Sequence, residues 1–182
     1  MAGVLTAAIE QAPQADVVLF HDAARCLPPP TAIARVIYAV RAGNPAVIPA
    51  LPVTDTIKAV CPARPQGEIA ATPAAGATAA PANAPLCAPT QVEPVRETVD
   101  RRRLRAVQTP QGFERETILR SHQLGAQAAA SESSAASDDA GLAEQAGYPV
   151  VVVPGDTLSF KITAPIDLAI AQVCVSQNLA DL

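Results

Sequence analysis

The stretch "ADVVLFHDAARCLPPPTAIARVIYAVRAGNPAVIPALPV", residues 15–53, decides how the rest of the chain is read. Four apolar residues, Val17 to Phe20, stop abruptly at His21 and Asp22, a run too short for a helix and suited to a buried strand. A helix follows from about Thr31 to Arg41, opened by Thr31 or the prolines before it and closed by "AGN". "PAVIPALPV" reads as a second strand, with Pro49 and Pro52 demoting its far end to an edge or a bend. Strand, helix and strand at this spacing make a βαβ unit.

Beyond it, "TDTIKAV" alternates polar and apolar residues as a half-exposed strand does. The composition then changes. Residues 61–96 hold 11 alanines and 7 prolines, half of that segment. Such a stretch supports neither a continuous helix nor a central strand, and reads as a loosely extended excursion. The pattern resumes with "LRAVQTPQGF", a strand running into a turn, and "ERETILRSHQLGAQ", an amphipathic helix with Ile118 and Leu119 on one side. An Ala/Ser loop runs to Ser137. Ser137 or Asp138 can cap a short helix, "DAGLAEQAG", closed by Gly147. Strand "PVVVVPG", strand "LSFKIT" and helix "PIDLAIAQVCV" follow. Pro165 suits the first turn of that helix, and Ile166, Ile170 and Val173 fall at helical spacing toward a core. The whole predicts an α/β fold, a mostly parallel sheet with helices on both faces.

At 182 residues one domain is expected. Only five residues are aromatic, so the core rests on Ala, Val, Leu and Ile. A net charge of −4 argues against a nucleic-acid partner. No apolar run approaches a membrane span and no signal-peptide pattern opens the chain, which makes the cytoplasm the default location. Cys26, Cys61, Cys87 and Cys174 show no C-x-x-C pairing, and four reduced thiols are expected, with Cys174 on the apolar face of its helix.

In such folds ligands bind beyond the carboxyl ends of the strands. Here those ends are "HDAAR", "TPQ" and "FKIT". Asp22 has two alanines after it, leaving room for a metal or a sugar hydroxyl, yet alone it reads equally as a cap or a surface acid. Lys161, between apolar Phe160 and Ile162, reads either as an edge-strand lysine or as a phosphate-positioning cation. Thr109 sits where its hydroxyl can cap a helix or hold a phosphate. Arg101 to Arg103 and Arg105 form a charge run of which most is solvated surface. An acid and two cations, Asp22, Arg25 and Lys161, at the strand ends of one sheet are what phosphoryl and nucleotidyl transfer use: a divalent ion to bridge phosphates, with Lys and Arg placing the phosphate nucleophile and offsetting charge.

"HDAAR", "DTIK", "TVDR", "QTPQGF", "SDDAG" and "FKIT", in this order, resemble the 2-C-methyl-D-erythritol 4-phosphate cytidylyltransferase family of the non-mevalonate isoprenoid pathway, from about Val4 to Leu179 except across the Ala/Pro excursion. The resemblance implies a Rossmann-like, doubly wound nucleotidyltransferase fold. It implies the reaction of CTP with methylerythritol phosphate, with Mg2+, giving CDP-methylerythritol and pyrophosphate. On matching positions, Asp22 and Arg25 contact substrate or the metal-nucleotide, Asp22 being the metal ligand. Thr109 and Ser137 help hold methylerythritol phosphate, and Lys161 positions its phosphate. It also implies a homodimer whose arm, residues 54–108 with the Ala/Pro insertion 61–96, crosses to the partner, so that Thr56 and Arg101 act in the neighbouring site, Arg101 beside Lys161 as a catalytic residue.

The departure is at the front. The family's opening strand and glycine-rich A-x-G-x-G-x-R loop, which wraps the CTP triphosphate, do not occur in this sequence. "MAGVLTAAIEQAP" resembles the helix just before "VVLFHDAAR", so 1–182 reads as a partial, N-terminally truncated domain, expected to be inactive alone. Two alternatives stay open: a non-catalytic substrate-binding or dimerisation module, and a cytidylyltransferase acting on ribitol 5-phosphate.

Overall fold

The strand expected at Val17–Phe20 forms as β1, with all four side chains half-buried, in a computed structural model that describes residues 2–61, 64–65, 91–129 and 138–179. Helix α1 (Ala2–Gln11) precedes it. Helix α2 (Pro30–Arg41) follows; extended Pro29 and Pro30 open it, because proline at the first helical position forfeits no intrahelical bond. Gly43, at φ +98°, turns the chain out of α2 into strand β2 (Ala46–Pro52).

The prolines of β2 do not place it at an edge. Residues 46–50 are all buried, and strand β9 (Val150–Pro154) runs parallel along one side of β2 while β7 (Arg105–Val107) and β8 (Gln111–Glu114) lie antiparallel along the other. Pro49 is tolerated because its carbonyl, and hence the position of its missing N–H, faces Gln108 in the interruption between β7 and β8. The Gln108 N–H donates to that carbonyl at 2.8 Å, so only the reciprocal bond, which proline cannot give, is missing.

The expected mostly parallel sheet is mixed. β1 pairs antiparallel with β8, β8 and β7 pair antiparallel with β2, and β2 with β9 is the parallel ladder among the described residues. Parallel neighbours need a crossover such as a helix. Between β2 and β7 the described chain has strands and one 3-10 turn but no α-helix, and it returns in the opposite direction.

Helices cover both faces. On one, Val36 and Val40 of α2 pack with Val47, Val17, Leu19, Val151 and Val153. On the other, Leu5 and Ile9 of α1 join Phe113, Ile48 and Ile118, the last from helix α3 (Arg115–Ala129), together with Ala140 and Ala143 of helix α4 (Asp139–Gln145). Asp138 caps α4 by accepting the Gly141 N–H, and Gly147 leaves it at φ +84°.

Two expectations near the end of the chain are overturned. "LSFKIT" is not a strand: Thr157–Ser159 is a single 3-10 turn, and residues 160–164 are irregular. Asp156 diverts the chain there, its side chain accepting the Leu158 N–H in a local turn that competes with pairing. Helix α5 (Pro165–Ser176) forms, but Ile166, Ile170 and Val173 are 65%, 47% and 49% exposed. Its buried residues are Ala171 and Cys174, the small side chains on the face turned to the protein. Among the described residues no helix is long and apolar enough to cross a membrane.

The chain divides into two compact units, 1–52 with 105–182, and 53–104. β7, placed in the arm by its expected span of 54–108, belongs to the first unit. In the second, β3 (Lys58–Val60) pairs antiparallel with β6 (Val95–Thr98), and the two-residue strands β4 (Arg64–Pro65) and β5 (Gln91–Val92) pair likewise. A 3-10 turn, Arg101–Arg103, is capped by Asp100. Most of the Ala/Pro insertion, Cys87 and Ser137 lie outside the described residues.

Candidate active site

The turn after β1, residues 21–25, is built by its own side chains and by neighbours drawn from two other parts of the first unit. Asp22 Oδ1 accepts the Ala24 N–H at 3.1 Å, and the Asp22 N–H donates to Thr109 Oγ1 at 3.0 Å. His21 Nε2 lies 2.9 Å from the Arg25 carbonyl oxygen, and its Nδ1 lies 3.1 Å from Thr109 Oγ1. Lys161 Nζ is 2.7 Å from Asp22 Oδ2. That contact, with the Ala24 N–H and the nearby charge of Arg25, holds the Asp22 carboxyl below the usual carboxylate range.

Arg25 is committed to main chain. Its Nη1 donates to the Ser159 carbonyl at 2.7 Å and Nη2 to that of Val107 at 3.3 Å, while its buried Nε has no hydrogen-bond partner. The Ile162 N–H donates to the Ala24 carbonyl at 2.8 Å. Residues 159–162 are therefore stitched to the 21–25 turn at three points, which is how an irregular segment delivers Lys161 to Asp22. The sequence brought the lysine to the site as part of a strand; tertiary hydrogen bonds do so instead.

Several residues that the sequence did not single out set this geometry. Gln108, buried between β7 and β8, donates to the Asp156 carbonyl at 2.8 Å and accepts the Asp156 N–H at 2.9 Å, as a strand would. Gly155 fits against that amide: a Cβ there would lie 2.3 Å from Gln108 Oε1 and 3.0 Å from the Ala50 carbonyl carbon. Arg35 of α2 donates to the Pro154 and Gly155 carbonyls and faces Asp156 at 3.8 Å. Gln111 donates to Asp138 Oδ2 at 2.8 Å and accepts the Ala140 N–H at 3.1 Å, fixing the start of α4. The one hint in the sequence was the glutamine on either side of "TP".

Thr109, Asp22, Gln111 and Asp138 line a cleft of about 300 Å³ with Phe20, His21 and Asp139. Behind it, His122 Nε2 lies 2.9 Å from Asp139 Oδ1 and the ring stacks on Phe20 at 5.7 Å. In the second unit, Thr56, Asp100 and Arg101 line one hollow with Thr98, Val99 and Arg102. Arg101 donates to the Thr54 carbonyl there, and Arg102 pairs with Asp100 at 2.9 Å. Of the expected site residues, Asp22, Arg25, Thr109 and Lys161 thus come together in the first unit, and Thr56 with Arg101 in the second.

A family model described as IspD, 2-C-methyl-D-erythritol 4-phosphate cytidylyltransferase, matches residues 2–74 and 66–177. The chain belongs to this family. A Streptomyces avermitilis protein named 2-C-methyl-D-erythritol 4-phosphate cytidylyltransferase is 43% identical over 166 residues, 91% of this chain and 54% of its own. A Nocardia farcinica protein of the same name is 40% identical over 174 residues, 96% of this chain and 60% of its own. The crystal structure of 2-C-methyl-D-erythritol 4-phosphate cytidylyltransferase from Thermus thermophilus is similar with TM-score 0.67 at 31% identity, covering 96% of this chain and 67% of that one. The chain spans about half the length of the curated cytidylyltransferases it matches.

Proposed function

We propose that this chain carries the polyol-phosphate side of a cytidylyltransferase site, in which a phosphate oxygen of 2-C-methyl-D-erythritol 4-phosphate attacks the α-phosphorus of CTP. The new P–O bond forms as the α–β anhydride bond breaks, and pyrophosphate leaves with the bonding pair. What supports the reading is the Asp22–Lys161 contact at 2.7 Å beside Thr109 and Arg25, in a chain of this family. Lys161 is the cation free to exchange its carboxylate partner for a phosphate, whereas Arg25 is held by two carbonyls and shapes the turn. Positioning and charge compensation are the enzyme's main contributions to such a transfer.

Magnesium binds few protein carboxylates and many phosphate oxygens. Among the described residues no three acidic, histidine or cysteine side chains converge on a point, so Asp22 would act as a single protein ligand to an ion held chiefly by the nucleotide's phosphates. The ion would supply charge neutralisation; Asp22, anchored by Ala24 and Lys161, supplies a fixed anionic oxygen. Thr56 and Arg101, and a homodimer through the arm at residues 54–108, belong to the same proposal and rest on the family resemblance.

Calorimetric titration with methylerythritol phosphate tests the binding claim: saturable binding weakened at least tenfold by Lys161→Met is expected, and no binding contradicts it. Tighter binding of ribitol 5-phosphate would transfer the proposal to that substrate.

A further inference from the structure

His21 touches two of the site residues and has no role in the reading above. Its Nε2 lies 2.9 Å from the Arg25 carbonyl oxygen. A carbonyl oxygen accepts and never donates, so Nε2 carries a ring proton. In the neutral ring Nδ1 is then a bare lone pair, and the Thr109 hydroxyl 3.1 Å away donates to it. The same Thr109 oxygen accepts the Asp22 N–H at 3.0 Å. A hydroxyl has one proton and two lone pairs. At Thr109 the proton and one lone pair are committed inside the protein, and a single lone pair is left for the cleft.

We propose that His21 is a positioning residue that fixes Thr109 Oγ1 as a hydrogen-bond acceptor toward the cleft, so that Thr109 receives a hydroxyl proton from a polyol and does not contact a phosphoryl oxygen. The ligand class rests on the function proposed above; the polarity of Thr109 does not. A phosphate dianion presents acceptors alone, and two lone pairs facing one another repel. The rest of the lining is no better suited to an anion: the cleft is also walled by two acids, Asp138, whose oxygens accept from Gln111 and the Gly141 N–H, and Asp139, which contacts His122. Lys161, paired with Asp22, supplies the cation a phosphate needs. The option that Thr109 holds a phosphate, open from sequence, gives way to a division of labour in which Lys161 takes the phosphate and Thr109 a carbon-borne hydroxyl.

The test is the tautomer itself, read from the ring nitrogens of histidine-labelled chain at pH 8 without ligand, with His21→Asn identifying which of the two sets of signals belongs to His21. The expected spectrum has a protonated Nε2 and a bare Nδ1 whose resonance carries the signature of an accepted hydrogen bond, and Thr109→Val removes that signature. A ring protonated at Nδ1, singly or doubly, or an Nδ1 resonance indifferent to Thr109→Val, overturns the proposal. Binding supplies the second readout. His21→Ala should weaken methylerythritol phosphate about tenfold and leave inorganic phosphate unchanged, the scale of one hydrogen bond in a binding site. His21→Asn, whose side-chain oxygen can stand where Nδ1 stood, should recover most of the loss. Equal weakening of both ligands, or no recovery with Asn, contradicts it. A native chain that binds no methylerythritol phosphate counts against the proposed function, and the ring spectrum still decides the tautomer.

Discussion

Asp22 and Lys161 show what a single contact settles. Each has an unremarkable reading on its own, a surface acid and an edge lysine, and each oxygen of Asp22 is instead given a donor: Ala24 N–H at 3.1 Å and Lys161 Nζ at 2.7 Å. Lys161→Met leaves the carboxylate without its counter-charge, and the Asp22 carboxyl should then titrate closer to the ordinary range; carbonyl-carbon NMR of the aspartates reads this directly. In the core, Ile118 is fully buried and central to the α1–α3 face. Ile118→Ala should cost about 2–5 kcal/mol in denaturant unfolding, the range for a large-to-small change that leaves a cavity. Gly112 fails in the other direction, since a Cβ there would lie 2.4 Å from Val36 Cγ1. Gly112→Ala should cost about 1–3 kcal/mol by overpacking.

At the scale of elements, α5 is capped by a carboxylate placed in its first turn. Asp167 Oδ2 accepts the Thr163 N–H at 2.8 Å, the Thr163 hydroxyl at 3.0 Å and the Ala164 N–H at 2.8 Å. The two N–H bonds come first in holding its carboxyl below the normal value of 3.8. A carboxyl depressed in the fold stabilises above its unfolded pKa, and the effect fades as pH falls through the folded value. Thermal unfolding of native chain and Asp167→Asn should therefore differ by a constant amount from pH 5 to 8 and converge below about pH 4. β1, α2 and α4 were legible because a four-residue apolar run, prolines at a helix start and an Asp cap act locally. Pro49 was not: its tolerance depends on lying opposite the break at Gln108, a neighbour that approaches only after the 53–104 segment has left and returned. The alternating apolar flanks of Lys161 predict a strand, while the Asp156 turn, the Ile162 N–H bond to the Ala24 carbonyl and the Arg25 bond to the Ser159 carbonyl decide its backbone. The site's charged residues were readable as types; of the residues that hold the loop after β9, Gln108 had only its place beside "TP" to mark it, and Gly155 and Arg35 carry no local signature.

For the whole molecule, the scarcity of aromatic residues implies a small-residue core, and the order of strand and helix periodicities implies an α/β fold. It could not say which apolar faces find partners. Ile166, Leu168, Ile170, Val173 and Val175 of α5 are all between 47% and 65% exposed, a concentration on one helix beyond scattered surface apolar residues. The purified chain should self-associate with rising concentration in sedimentation velocity, and Leu168→Glu with Val175→Glu should shift it toward monomer; a strictly monomeric native chain contradicts this. The central claim concerns the first unit, that Asp22, Thr109 and Lys161 form one polyol-phosphate site. Amide chemical-shift mapping during titration with methylerythritol phosphate tests it most directly. The account predicts saturable shifts centred on residues 21–25, 108–111 and 159–162 that Lys161→Met abolishes. Shifts centred elsewhere, or unaffected by that substitution, would contradict it.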